Sequence, residues 1–332
     1  MRKMRILRSV ILIVSTACII SILTTVFAIG QDRYPSKPIA LVVGLAAGGA
    51  TDLSARALGK VLERILNQPV IVANKPGASG VISFQYIKNS LADGYTLAVS
   101  TTGGLLITHL KEVPYEFFSD FTHLIQISVL PAGLAVNSDS PWKTLKEFVE
   151  YAQKNPGKVK YASTEYASMG HILSEQMALQ NGFKWVHVPF PGDTPAATAL
   201  LGKHVDAMVL GTVAWGPFVK AGRFRLLAVH TEKRIKEFPD VPTFTEAGCK
   251  LVNPVTANYG IMAPKGLPSD VKEILLSALR QAWKDEEFQG ALEKLSIMPV
   301  YREGEDLVRF LREWEKETVS VMKQIGLKII KE

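Results

Sequence analysis

The chain has 332 residues, with 38 lysines and arginines against 31 aspartates and glutamates, and only two cysteines. This length is enough for two domains with cores of their own. No basic cluster follows the N-terminal segment, so the charge distribution does not indicate a nucleic-acid partner. One of the two cysteines, Cys18, lies in that segment, which excludes an internal disulfide and a cysteine-based metal site in the remainder.

The first 28 residues have the pattern of a secretory signal peptide. Four lysines and arginines precede an apolar run from about Val10 to Phe27, and Val26-Phe27-Ala28 provides the small residues that a signal peptidase reads. We expect cleavage near Ala28 and export to the periplasm, which leaves 34 basic against 31 acidic residues. An uncleaved membrane anchor is the alternative, because the run is nearly long enough to span a bilayer.

The first structural unit of the mature chain is a strand, a loop and a helix. Ile39–Val43 is apolar and β-branched, which predicts a buried strand, and apolar residues recur at helical spacing from Leu53 to Ile65. The loop between them is rich in glycine and alanine and matches neither the dinucleotide fingerprint nor the phosphate loop. A tight turn without a ligand is the alternative reading of this loop.

The end of this loop has the residues of an anion site. Gly48 and Gly49 leave no side chain between the backbone and whatever lies in front of it, and Thr51 or Asp52 is expected to cap the helix. A helix start offers unpaired N–H groups and a positive dipole end, and both favour an anion.

Strands and helices alternate along the remaining chain, which predicts parallel sheets that bind ligands at the carboxyl ends of their strands. In the first half, small-residue loops follow strands at Val70–Ala73 and Thr96–Ser100. A second alternating unit begins near Leu134 and contains a capping box at Thr144–Glu147. Further strands are predicted at Val159–Ala162, Trp185–Val188, Ala207–Leu210 and Leu226–Val229, with a helix at Ala196–Leu201 and a mostly helical tail from Pro268.

Few side chains have the spacing of a catalytic or metal site. Ser168 and His171 could share one side of a helix start, but the chain has no Gly-x-Ser-x-Gly motif. His171 and Glu175 have metal-ligand spacing without a third ligand, and His187 is more typical of a hydrogen-bonded core histidine. Lys75 and Arg56 could meet an anion or lie in solvent. Loops of small and hydroxyl residues at strand ends favour binding of a small polar anion over catalysis.

The motifs after Tyr34 resemble, in order and at family spacing, those of the extracytoplasmic solute receptors of tripartite tricarboxylate transporters, also called Bug receptors. The resemblance covers nearly all of the mature chain. It rests on Ala47–Asp52 with Ala55-Arg56, Asn74–Ala78, Asp93–Leu97, Ser168–His171, His187–Phe190, Ala221–Arg223, Pro239–Thr243 and Glu246–Gly248.

The resemblance implies a two-domain α/β periplasmic binding protein of the cleft-closing type II (Venus flytrap) kind, each domain a mostly parallel sheet flanked by helices. Residues 33–130 and 254–332 would form a discontinuous first domain, and residues 131–253 the second. It implies a monomeric receptor, not an enzyme, that delivers a small mono- or dicarboxylate, amino acids included, to membrane transporter subunits. No cofactor, metal, catalytic residue or nucleic-acid partner is expected.

The family holds ligand carboxylates in βα loops, through backbone N–H groups, hydroxyls and bridging waters. Carried onto this chain, the first domain's loops are Leu45–Asp52 and Pro76–Ser79, and the facing loops are Ser163–His171 and Pro191–Thr194. The predicted ligand-binding residues, with one from the third strand's end, are Leu45, Ala47, Gly48, Gly49, Thr51, Asp52, Pro76, Ala78, Ser79, Thr102, Ser163, Tyr166, Ser168, His171, Gly192 and Thr194.

Some positions depart from the family pattern. Ser79 replaces a second glycine, Thr164-Glu165 stand where glycine is frequent, Pro191–Asp193 replaces Lys-Gly-Gly, and Gly211 follows a strand that often ends in aspartate. Glu165 and Asp193 add negative charge near the expected anion, which favours a less acidic ligand or one with an amino group. Two alternatives remain open: a secreted hydrolase that uses Ser168 and His171, and a receptor that signals to a sensor kinase.

We predict that the exported protein begins directly after Ala28, because Val26-Phe27-Ala28 is the cleavage signal. N-terminal sequencing of protein recovered from the periplasmic fraction tests this. Full-length chain retained in the membrane fraction would favour the anchor instead.

Overall fold

The computed structural model describes residues 34–164, 166, 168–231, 233–249 and 257–330. The predicted signal peptide with its cleavage site, Glu165 and the domain boundary predicted at residues 253 and 254 lie outside these residues. Among the described helices, none has both the length and the apolar composition that a membrane span requires.

The described elements alternate along the chain as the sequence predicts. The strands are β1 (Ile39–Val43), β2 (Val70–Asn74), β3 (Thr96–Thr101), β4 (Phe121–Leu130), β5 (Ala132–Asn137), β6 (Lys160–Ser163), β7 (Val186–Pro189), β8 (Ala207–Gly211), β9 (Phe224–His230), β10 (Ala257–Pro264) and β11 (Met298–Glu303). The α-helices are α1 (Ala50–Leu66), α2 (Val81–Lys88), α3 (Thr102–Leu110), α4 (Leu145–Lys154), α5 (Met169–Gln180), α6 (Asp193–Leu201), α7 (Thr212–Lys220), α8 (Ser269–Lys284), α9 (Glu286–Lys294) and α10 (Gly304–Gln324).

The first sheet has the strand order β11-β4-β10-β3-β1-β2. The strands β1, β2 and β3 pair in parallel, whereas β10 is antiparallel to both β3 and β4, and β11 is antiparallel to β4. Helices α1, α8 and α9 pack together at one face, and α2, α3 and α10 share an apolar cluster at the other. Because both faces are covered, the central strands are apolar throughout rather than alternating.

The second sheet has the order β7-β6-β8-β5-β9. Here β6, β7 and β8 pair in parallel, and β5 is antiparallel to β8 and β9. Alternate residues point to opposite faces, so Tyr161 and Val209 pack with α4 and α5, while Ala162 and Met208 pack with α6 and α7. The single mature cysteine, Cys249, is buried in the α4–α5 cluster.

The chain passes between the sheets directly from β4 to β5, with only Pro131 between the two strands. The register places Leu130 opposite Ala257 in the first sheet, and Ala132 opposite both Gly211 and His230 in the second. The carboxyl ends of the parallel strands in both sheets therefore meet at this crossing. These two edges carry the loops that the sequence analysis predicts as a binding site.

Most strands predicted from sequence lie within one or two residues of the observed ones, and the capping box at Thr144 is confirmed. Two expectations are corrected. Helix α6 begins at Asp193 rather than Ala196, because Gly192 already serves as its N-cap. The segment after Thr101 is not a loop, since that threonine caps α3. The tail is mostly helical, as predicted, and also contains β11, which pairs with β4.

Gly260, in the middle of β10, tests how tightly the first sheet is packed. A Cβ there would lie 2.6 Å from the Ile125 carbonyl oxygen and 2.9 Å from Ser100 Oγ. We expect Gly260→Ala to lower the free energy of unfolding by about 1–3 kcal/mol. The control is Gly290→Ala in α9, where a Cβ meets nothing within 4 Å, and where alanine should add about 0.5–1 kcal/mol. Urea denaturation compares them, and an unaltered Gly260→Ala variant would contradict the packing described.

Candidate functional site

The loop after β1 is held in shape by the buried carboxylate of Asp52. One oxygen of Asp52 accepts from Gly48 N at 2.9 Å and from Arg56 Nε at 3.0 Å. The other oxygen accepts from Asn74 Nδ2 at 2.9 Å, and this amide also donates to the carbonyl oxygen of Leu45 at 3.0 Å. Burial by itself would raise the pKa of Asp52, but these hydrogen bonds and the Arg56 charge bring that pKa below its usual value. Asp52 is thus an ionised carboxylate fully occupied by its own chain.

The N-cap of α1 is Gly49, not Thr51 or Asp52 as the sequence suggested. Thr51 and Asp52 occupy the second and third helical positions, and both side chains are buried. Asp52 reaches back to the N–H of Gly48, one residue before the N-cap, so the free donors of the first turn are left to other acceptors.

Apart from α2, whose N-cap Gly80 ends the preceding 3₁₀ turn, three helices at the facing sheet edges begin with a glycine that provides no side-chain cap. These N-caps are Gly49 of α1, Gly192 of α6 and Gly211 of α7. By contrast, the hydroxyls of Thr101 and Ser168 cap α3 and α5 in the usual way. An uncapped helix start leaves backbone N–H groups with no intrahelical acceptor and a positive dipole end. The two edges therefore bring several anion-binding helix starts together.

Gly211 also explains one departure from the family pattern. A Cβ at this position would lie 2.3 Å from the Leu130 side chain, at the crossing between the sheets. The aspartate that is frequent at this position would therefore collide with β4 in this chain.

The loop after β2 contributes backbone rather than charge. Pro76 and Ala78 are exposed, and Ala78–Gly80 forms a short 3₁₀ turn that leads into α2. The Lys75 ammonium lies 4.2 Å from the centre of the Tyr86 ring, a cation–π contact. Arg56 is bound to Asp52, so its charge is already paired, whereas Lys75 keeps its charge over the Tyr86 ring of α2.

The second sheet brings two histidines together. His187 Nε2 lies 2.6 Å from Ser163 Oγ, and its ring stacks on that of His171 with centroids 4.1 Å apart. The exposed ring of Tyr166 packs on the outer side of His171, at 5.0 Å between centroids. Burial, followed by the proximity of His187, lowers the pKa of His171 to about 4, and burial also lowers the pKa of His187. Both imidazoles are therefore neutral near pH 7.

The local geometry does not form a Ser–His nucleophile from Ser168 and His171. The Ser168 hydroxyl accepts from the backbone N–H of His171 at 3.2 Å, as an N-cap. Glu175, the possible metal partner of His171, instead accepts from Tyr161 Oη at 2.5 Å. The described residues contain no cluster of histidine, cysteine, aspartate or glutamate that could hold a metal ion.

Asp193, the first residue of α6, faces the first sheet. It is partly buried, and this burial raises the pKa of its carboxyl. Its charge reaches Tyr259 of β10, a buried tyrosine whose hydroxyl is hydrogen-bonded with the Thr51 side chain. Tyr259 was absent from the residues predicted from sequence, because β10 itself was not predicted. Tyr259 therefore lies within hydrogen-bond reach of the α1 start and within electrostatic range of the α6 start.

The predicted residues fall into three groups by exposure. Those exposed at the sheet edges are Leu45, Ala47, Gly48, Pro76, Ala78, Tyr166 and Thr194, and those partly exposed are Gly49, Ser168 and Gly192. The buried ones are Thr51, Asp52, Thr102, Ser163 and His171. Ser79 belongs to the 3₁₀ turn, and its side chain is outside the described part of the structure. Thr102 Oγ1 accepts from Asn258 N at 3.1 Å, which ties α3 to β10.

Two mixed α/β sheets, joined by crossing strands and facing each other through uncapped helix starts, define the class of two-lobed solute-binding proteins. The family model described as "Tripartite tricarboxylate transporter family receptor" matches residues 54–327. The chain belongs to this family of receptors, which are not enzymes.

The chain is similar to individual relatives over most of its length. It is 36% identical, over 89% of its length and 90% of the relative's, to a Cupriavidus necator protein named "UPF0065 protein in gbd 5'region". The Rhodopseudomonas palustris protein Rpa4515, solved with adipate, has a TM-score of 0.79 at 26% identity, over 89% of this chain and 99% of that one. MatC of the same species, solved with bound malate, has a TM-score of 0.74 at 26% identity, over 87% and 99%.

Gly48 provides a direct test of the first loop. Its φ of +85° strains any side chain, although a Cβ would meet nothing within 4 Å. We expect Gly48→Val to weaken binding of the carboxylates predicted from sequence by about tenfold or more, because left-handed backbone costs about 1–2 kcal/mol and its relief displaces the loop.

The matched control is Gly157→Val, at a φ of +74° with the same open space, in a turn of the second lobe away from the sheet edges. Calorimetric titration compares the two variants. Equal affinities in Gly48→Val and wild type would remove this loop from the site.

Proposed function

We propose that the chain captures a small carboxylate between its two sheets and presents it to the membrane subunits of a tripartite tricarboxylate-type transporter. Family membership provides the receptor role, and the adipate and malate bound by two structural neighbours support the ligand class. The observation that carries the proposal is the set of three glycine N-caps, Gly49, Gly192 and Gly211, at the facing sheet edges.

The chemistry of these helix starts suits a carboxylate. Each hydrogen bond from an N–H to a charged oxygen contributes about 1.5–3 kcal/mol. Several of them in a site that excludes water would reach the roughly 8 kcal/mol of a micromolar complex. Of the two described cations near the first loop, Arg56 is bound to Asp52 and Lys75 lies over the Tyr86 ring, so backbone donors are the main anion-binding groups in this proposal.

The proposal includes two lobes that close on the ligand. Sheet membership supports a first lobe of residues 33–130 and 254–332 and a second lobe of residues 131–253, since β4 and β5 belong to different sheets on either side of Pro131. A ligand held by α1 from one side and by α6 from the other favours the closed arrangement, because only closure makes both sets of contacts. We further propose that the mature receptor acts in the periplasm, as a monomer.

Replacing the N-cap glycine by aspartate separates ligand binding from folding. Gly49 has φ −82° and ψ 171°, which any residue adopts, and a Cβ would lie 3.7 Å from the nearest atom, the Ala46 carbonyl oxygen. An aspartate there would cap α1 with its own carboxylate and occupy the N–H groups that the ligand needs. We expect Gly49→Asp to raise the free energy of unfolding by roughly a few tenths of a kcal/mol and to abolish carboxylate binding.

Gly49→Ala is the control, since it adds a Cβ without an acceptor and should retain binding within a few-fold. Urea denaturation and calorimetry with adipate, malate, monocarboxylates and amino acids measure the two properties. The proposal fails if Gly49→Asp binds as tightly as wild type, or if no carboxylate binds to the mature wild-type protein.

A further inference from the structure

We infer that Asp193 pairs with an ammonium group of the ligand, so that the substrate class is an amino acid rather than a dicarboxylate. This inference rests on the proposed function, since it names which carboxylates the receptor takes. It assigns the ligand's carboxylate to the helix start of α1 and its ammonium group to the start of α6.

The first step is the state of the Asp193 carboxylate. It lies in the first turn of α6, partly buried, within electrostatic range of the buried Tyr259 hydroxyl of the other lobe. In the described part of the chain, neither of its oxygens has a hydrogen bond or an ion pair. A partly desolvated carboxylate without a donor is costly, and a donor from a ligand would lower that cost.

Asp52 provides the comparison, because its carboxylate receives all of its described hydrogen bonds from the chain itself. It too lies in the first turn of a helix at the sheet edge, yet it accepts from Gly48 N, Arg56 and Asn74. The two aspartates lie in the first turns of helices at the facing sheet edges, but only Asp52 receives donors from the described chain. A ligand with an ammonium group would provide the hydrogen-bond donors that Asp193 lacks.

The second step is that, among the described residues, no cation forms an ion pair with Asp193. Of the described cations near the first loop, Arg56 is bound to Asp52 and Lys75 lies over Tyr86. The stacked His171 and His187 are neutral, as their lowered pKa values require. A second ligand carboxylate at α6 would therefore approach an unneutralised negative charge, whereas an ammonium group would be attracted and would donate hydrogen bonds.

The experiment compares three pairs of probes. In L-lactate with L-alanine and L-malate with L-aspartate, an ammonium group replaces a hydroxyl. In adipate with 6-aminohexanoate, it replaces one carboxylate. Calorimetry with the mature protein should give about tenfold or tighter binding for the ammonium member of at least one pair, the value of one charged hydrogen bond. Asp193→Asn should remove this preference. The control Asp270→Asn, at an exposed first-turn aspartate of α8, should retain it.

Mass spectrometry of ligand released from freshly purified, denatured protein complements the probes and should find a carboxylate that carries an amino group. A co-purified or bound carboxylate without one, at equal or higher affinity, would overturn the inference and leave the proposed function intact. A preference for ammonium that survives in Asp193→Asn would also overturn it. The absence of any bound or co-purified carboxylate would contradict the proposed function itself.

Discussion

The binding site depends on how abruptly the chain passes from one sheet to the other. Only Pro131 separates the last residue of β4 from the first of β5, and the register then pairs Ala132 with Gly211 and His230. Such a short crossing keeps the ends of β4 and β5 adjacent, so the carboxyl edges of the parallel strands in the two sheets face each other. Every loop and helix start discussed above takes its position from that constraint.

The facing edges are electrostatically unequal, although both consist of small residues and helix starts. At α1, the negative charge of Asp52 is neutralised by Arg56, and the loop presents N–H groups without net charge. At α6, Asp193 keeps a carboxylate that the described chain does not pair. Desolvation strengthens both effects, because charges interact more strongly where water is excluded. In the proposed site, a ligand between the edges would therefore meet donors on one side and an acceptor on the other.

Local signals made part of the fold predictable from sequence. The β-branched run at Ile39–Val43 and the capping box at Thr144 specify their elements without help from distant residues, and both were predicted correctly. The strand β10 could not be predicted in this way. Its residues alternate poorly and include Gly260, and it becomes a strand because β3 and β4 pair with it on both sides.

The candidate site, too, could be predicted only in part from the sequence. The positions of the small-residue loops followed from the alternation of strands and helices, because parallel strands place their ends at one edge. The roles of individual side chains did not follow. Aspartate is a residue type that often caps helices. The Asp52 side chain instead accepts a hydrogen bond from Asn74, at the end of a different strand. Tyr259, which faces Asp193, was missed together with its strand.

The burial of Cys249 has a consequence for the life of an exported chain. Burial raises the pKa of this thiol to about 11, so almost no thiolate forms at neutral pH. Disulfide exchange requires the thiolate and access to it, and the α4–α5 cluster denies both. In the folded protein the Cys249 thiol is therefore protected from cross-linking to other proteins, even in an oxidising compartment.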